Sequence, residues 1–145
     1  MIEVRKANVE DLGWMLEQAK QFLSYHPLPV AFNGAHITNI ILDMIDDGII
    51  LVASEAGVKL GAIGGVVSPN FFDPSYQILS ELFLWVEKKH RKTRAMHHLV
   101  TEFSKLGEDY DAVALSHTKL TPSLGRVFEK RYGYELLEVT YTKEK

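Results

Sequence analysis

Residues 81–100 read ELFLWVEKKHRKTRAMHHLV. An apolar stretch ends at Val86. Lys88, Lys89, Arg91, Lys92 and Arg94 follow within seven residues that contain no acid, and a helical pattern then begins. The reading is strand, polar turn, helix. The first N–H groups of a helix have no partner inside it, and the positive end of its dipole lies there. A base-rich turn at that point suits an anion, with a pyrophosphate as the natural candidate. A solvated surface turn has the same composition, and charge alone does not separate the two. A nucleic-acid patch is disfavoured, because interleaved exposed aromatics and a second basic cluster are lacking.

Upstream of this segment, residues 76–87 make the longest strand. Residues 69–75 (PNFFDPS) are a loop and 59–68 (KLGAIGGVVS) another strand, entered from a hairpin turn at Glu55 to Val58. Residues 49–54 (IILVAS) are almost wholly apolar, as in a strand covered on both faces. A helix fits 36–47, with Ile37, Ile40, Ile41, Met44 and Ile45 on one side and Gly48 ending it. Residues 25–34 (YHPLPVAFNG) break the pattern. A helix over about 9–24 precedes them, with Asn8 and Asp11 as caps and Leu12, Met15, Leu16, Ala19, Phe22 and Leu23 as its apolar stripe. Met1 to Lys6 is a short strand.

Downstream, the helix starts near Arg91 or Lys92 and runs to about Leu106, with Ala95, His98 or Leu99, Glu102 or Phe103, and Leu106 facing inward. Residues 111–116 (DAVALS) form a strand. Thr121 and Pro122 suit an N-cap and first helical position, for a helix ending before Gly133. Residues 134–142 (YELLEVTYT) alternate as a closing strand. The order β-α-α-β-β-β-α-β-α-β implies an α/β sheet with helices on its faces.

The 145 residues are one domain's worth, 46% hydrophobic and 24% charged, with a net charge of −3. The chain has no cysteine, which excludes a disulfide scaffold, a thiolate metal site and a cysteine nucleophile. No apolar run spans a bilayer. The opening MIEVRKANVEDLGWM is charged at once, so the expected location is the cytoplasm. His97 and His98 are adjacent on a helix and point about 100° apart, and His26, His36 and His90 lack ligand spacing, so no metal is assigned.

The order of elements and residues 86–99 (VEKKHRKTRAMHHL) resemble the GCN5-related N-acetyltransferases. In that family a turn of the form R/Q-x-x-G-x-G/A opens the helix after a strand and holds the pyrophosphate of acetyl-coenzyme A on its backbone amides. Val86 matches the strand-end residue, Arg91 the first motif position and Leu99 the helix's apolar position. Arg94 and Met96 stand where the family has small residues. Residues 128–134 (FEKRYGY) resemble its Y-E-K-x-G-F segment and residues 2–12 (IEVRKANVEDL) its usual opening. The R-x-x-R-A form, ELFLWV at 81–86 and EVTYTK at 138–143 resemble a divergent branch often encoded by phages, for which the compartment becomes the host cytoplasm.

The resemblance implies one domain over residues 1–145. It implies a mixed, mostly antiparallel sheet of six to seven strands flanked by about four helices. It further implies an N-acetyltransferase that moves an acetyl group from acetyl-CoA to a primary amine, small-molecule or peptide, by direct attack. The cofactor-binding residues are then Leu84, Trp85 and Val86, through backbone pairing with pantetheine, and Arg91, Lys92, Thr93, Arg94, Ala95 and Met96 at the pyrophosphate. Glu81 is the residue that draws a proton from the acceptor, because an ammonium has no lone pair with which to attack. Phe128 aligns with the family's proton-donating tyrosine and cannot donate, so Tyr132, one turn on, takes that role. Ser116 and His117 line the product side of the cleft; Tyr25, His26 and Phe32 border the acceptor. Dimers are common in the family, so a homodimer is an open partner. The alternative reading is a non-catalytic structural or interaction protein of the same fold, supported by the two replaced small residues and Phe128.

Overall fold

The computed structural model describes residues 1–145. The apolar run at 49–54 becomes the second strand of a five-stranded sheet, with Ile50, Leu51, Val52 and Ala53 all buried. Successive side chains of a strand point to opposite faces, so four buried neighbours require cover on both sides. The strands are β1 (Ile2–Lys6), β2 (Ile49–Glu55), β3 (Val58–Pro69), β4 (Gln77–Val86) and β5 (Ala112–Ala114), side by side in chain order. All pairs are antiparallel except β4 with β5.

Helices α1 (Leu12–Leu23) and α2 (Gly34–Asp46) cover one face, where Met15, Ile41 and Met44 pack on Ile50. Helix α3 (Ala95–Leu106) covers the other, with Ala95, Leu99 and Phe103 against Leu51, Ala53, Ile63 and Leu79. The inward choices on α3 are thus Leu99 and Phe103, not His98 and Glu102, with Val100 also buried. Phe103 is fully buried, and truncating such a ring to alanine costs about 3–5 kcal/mol. Helix α4 (Ser123–Tyr132) follows β5 and ends at Gly133, whose φ of 74° makes the left-handed cap that glycine adopts without strain.

Five strands stand where six to seven were expected. Residues 134–142 do not join the sheet, and Leu136, Leu137, Val139 and Tyr141 are exposed. Alternation prepares a segment for a half-buried surface, but a strand also needs an edge to pair with. β5, at that margin, has only three residues. Thr121 is not the cap of α4: Pro122 takes that place with no side-chain cap bond. α3 begins at Ala95, later than Arg91 or Lys92, because residues 88–90 close a separate 3₁₀ turn. Thr93 bridges the two, its hydroxyl donating to His90 O at 2.6 Å and accepting Ala95 N–H at 3.2 Å.

Two local devices set the sheet's geometry. Asn8 and Asp11 form a capping box at the entry to α1. The buried Asp11 carboxylate also takes both Arg5 guanidinium nitrogens, at 2.8 and 2.9 Å, and Lys59 Nζ at 2.9 Å. Arg5 above all holds that carboxyl far below the usual carboxylate range. The second device is a bulge: Gly64 pairs with Phe83 and Gly65 with Glu81, so Leu82 is an extra residue on β4. A Cβ on Gly65 would lie 2.6 Å from Ser80 O and 2.7 Å from the Phe103 ring. Glycine is what lets β4 and α3 come this close. No helix is long and apolar enough to cross a membrane.

Candidate functional site

β4 and β5 run together for only three register pairs, Ile78 with Ala112, Leu79 with Val113 and Ser80 with Ala114. Beyond Ser80 the strands part. β4 continues to Val86 with no strand partner on that side. Glu87 N–H donates to Leu60 O on the β3 side. Strand alternation therefore turns the backbone of Trp85 toward β3 and that of Leu84 and Val86 toward the free edge. Of the three residues expected to pair with pantetheine, two aim their main chain that way.

Glu81 lies where the parting begins. Its Oε1 accepts Ser116 N–H at 3.0 Å and the Ser116 hydroxyl at 3.3 Å. Burial raises the Glu81 carboxyl above its ordinary value, and the two bonds from Ser116 only partly oppose this. A carboxyl raised in this way accepts a proton more readily than a free one.

At the far end of the free edge lies the turn that was expected to hold an anion. Backbone N–H groups of Lys92, Arg94, Met96 and His97 have no acceptor within the chain, whereas that of Ala95 goes to Thr93 Oγ1. Met96 and His97 lie in the first turn of α3, so their N–H groups point out of its N-terminus. Arg94 has φ −89° and ψ 18°. The conformation is open to any residue, so replacing glycine there introduces no backbone strain. His97 is pushed below its ordinary value by burial first, then by the charges of Arg94, His98 and, from α4, Arg131.

Arg91 is placed differently from Arg94. Its Nε donates to Val86 O at 3.0 Å, and its guanidinium lies 4.7 Å from the Trp85 ring centre and 5.0 Å from that of Tyr25. The side chain turns back on the strand end and occupies one free-edge carbonyl. Tyr132, expected as proton donor, has its hydroxyl 2.9 Å from His97 Nδ1 with the rings stacked. It shares no hydrogen bond with Glu81 or Ser116, so the two expected catalytic residues are not brought together. His117 rests over Gly125 of α4 and its Nδ1 lies 3.0 Å from Thr118 O.

Three features were not anticipated. Arg131 acts on His97 only because α4 brings Tyr132 against that residue. Leu82 is marked by nothing but its register. Gln18 is buried on α1 because its Oε1 accepts Trp85 Nε1 at 2.7 Å. Its spacing from Met15 and Phe22 on the apolar stripe is the one signal that could have revealed it.

No protein-family model matches the chain, and neither does any curated protein sequence. Solved structures of the same fold do match. An acetyltransferase from Trypanosoma brucei superposes with a TM-score of 0.75 at 16% identity, covering 100% of both chains. A predicted acetyltransferase from Clostridium acetobutylicum, solved with acetyl-CoA, gives 0.76 at 14% identity over 99% of this chain and 96% of that one. AAC(6′)-Iy, in complex with the bisubstrate analogue CoA-S-monomethyl-acetylneamine, gives 0.75 at 15% identity over 100% and 98%. At these identities the likeness is one of fold.

Proposed function

We propose that the protein transfers an acetyl group from acetyl-CoA to a primary amine. The observation that carries this reading is one continuous track. It runs from Glu81 at the parting of β4 and β5, along the free edge at Leu84 and Val86, to the unpaired N–H groups at the start of α3. The acetyl-CoA complex of the Clostridium acetobutylicum protein, which has this fold, supports it.

The residues present fit such a molecule. Met96 and His97 N–H hold a pyrophosphate by hydrogen bonds, with the positive charges of Arg94 and Arg131, both felt by His97, favouring an anion there. Leu84 and the Val86 N–H pair with an amide-bearing chain as an added strand would. When bound, acetyl-CoA supplies an acetyl group activated as a thioester. Glu81 removes a proton from the acceptor's ammonium, and Ser116 holds the carboxylate at the gap. The free-edge N–H of Leu84 is directed at negative charge developing on the carbonyl oxygen. Tyr132 orients His97 at the phosphate end and is not the acid.

One observation favours a second reading, a non-catalytic domain of this fold. Phe128, at the family's tyrosine position, is buried and carries no proton to give. Thermal unfolding with acetyl-CoA decides first: at 100 times its dissociation constant the stabilisation is about 2.7 kcal/mol. Thiol release on adding amines then reports turnover, and with no cysteine in the chain the thiol reagent sees coenzyme A alone. No stabilisation at millimolar cofactor overturns the enzymatic reading.

A further inference from the structure

Enclosed by α1, the segment joining it to α2, α2 itself and the sheet is a cavity of about 350 Å³, the size of a small-molecule site. Of its 20 lining residues 16 are hydrophobic, and none is Asp, Glu, Lys or Arg. The polar four are Gln18, His26, Asn33 and His36. Three of these are already engaged. Gln18 Oε1 is taken by Trp85, His26 Nδ1 accepts Leu28 N–H at 3.0 Å, and Asn33 Oδ1 caps the His36 N–H at 3.1 Å. What polarity the wall keeps is neutral and sparse: the amide nitrogens of Gln18 and Asn33, the second nitrogen of His26 and the His36 ring.

The rim is apolar too. Leu82 is 54% exposed, Val30 50% and Ile40 40%. Leu82 is the bulged residue next to Glu81, so the cavity wall comes within one residue of Glu81 along β4, although Glu81 itself does not line it. His26 and Phe32 line it, as expected of acceptor contacts, whereas Tyr25 packs on Trp85 and Arg91 instead.

We infer that this cavity seats the body of the acceptor, and that the acceptor is a primary amine on an uncharged apolar frame with no second ammonium. The inference rests on the acetyl-transfer reading and narrows it. Glu81 takes one proton from the ammonium. The nitrogen then forms the amide bond as the carbon–sulfur bond breaks; sulfur leaves with the electron pair and gains the nitrogen's second proton. A polycationic acceptor would carry further ammonium groups against a wall without a carboxylate, which is costly.

Both tryptophans of the chain, Trp14 and Trp85, line the cavity, so their fluorescence reports its filling independently of turnover. The probes are hexylamine, 2-phenylethylamine and spermidine, with and without acetyl-CoA. The two monoamines should shift the emission and saturate, with kcat/KM at least about tenfold above spermidine. Ala19→Phe on α1, or Ala31→Phe in the loop should the first fail to fold, should raise the hexylamine KM about tenfold and leave acetyl-CoA affinity unchanged. Acetyl-CoA binding with preference for spermidine, or an unchanged hexylamine KM in a folded filled variant, overturns the inference and leaves acetyl transfer standing. Failure of acetyl-CoA to bind overturns acetyl transfer; saturable emission shifts with hexylamine then still support an apolar-amine site, and their absence removes it.

Discussion

Glu81 holds Ser116 by two hydrogen bonds across the point where β4 and β5 separate, one from the backbone N–H at 3.0 Å and one from the hydroxyl at 3.3 Å. The carboxylate is thereby anchored to both sides of the gap. Its carboxyl is raised by burial, so ionising it works against the fold. A group raised on folding contributes stability below its unfolded value, and that contribution fades as pH rises through the folded one.

Glu81→Gln should therefore leave thermal stability at pH 8 unchanged or slightly higher, because glutamine still accepts from Ser116. Turnover should fall about 10²–10³-fold. In the wild type the acidic limb of kcat/KM should lie above 4.5, the ordinary value for this carboxyl. Steady-state rates across pH check both, and an undiminished kcat in the variant removes Glu81 from the mechanism.

Arg94→Gly restores the small residue of the resembled motif. Since the backbone at 94 has an ordinary negative φ, glycine brings no conformational gain and loses a charge. Coenzyme A should bind about 5–10-fold more weakly, as should Arg131→Ala, with the deficit shrinking as salt rises. Calorimetric titration at two ionic strengths tests this; tighter binding by the glycine variant contradicts it.

Asp11 is held far below its ordinary 3.8 by Arg5, with help from Asn8 N–H and Lys59. A depressed carboxyl stabilises the fold above its unfolded value and loses that contribution as pH falls. The wild type should weaken progressively below about pH 4. Asp11→Ala should lose at least about 2 kcal/mol at pH 7 and show a flatter acid dependence. Denaturant midpoints at pH 7 and pH 3 compare the two, and parallel losses in both proteins would count against the assignment.

The turn between β2 and β3 has φ 51° at Ala56 and 80° at Gly57. Left-handed backbone costs alanine about 1 kcal/mol or more, whereas an Asn-Gly pair fits such a turn. Ala56→Asn should raise stability by about 1 kcal/mol with an unchanged denaturant slope. A lower midpoint would show that the turn is held by something other than its own residues.

The fold could be read where local chemistry and burial agree. IILVAS at 49–54 is apolar on both faces, and both faces are covered. The periodicity of α3 put Ala95 and one of each following pair inward, and packing chose Leu99 and Phe103. Gly133 ended α4 through its left-handed cap. What escaped depends on partners remote in sequence. The Leu82 bulge comes from register against Gly64 and Gly65. Arg131 comes to act on His97 only through helix packing. Residues 134–142 have the right alternation but lack an edge of sufficient length. The turn and helix start after Val86 were legible because helix starts and basic residues are local signals. The direction of Arg91 was not, because Trp85 and Tyr25 capture it from other elements.

Three register pairs are all that fasten β5 to its neighbour. The sheet is accordingly stiff from β1 to β4 and compliant at one margin. Amide hydrogens of Val113 and Ala114 should trade with solvent sooner than those of Val52 and Ile63, which lie deep in the ladder. A molecule wedged into the open seam would act as a strut, so its arrival should register as slowed deuterium uptake along that margin.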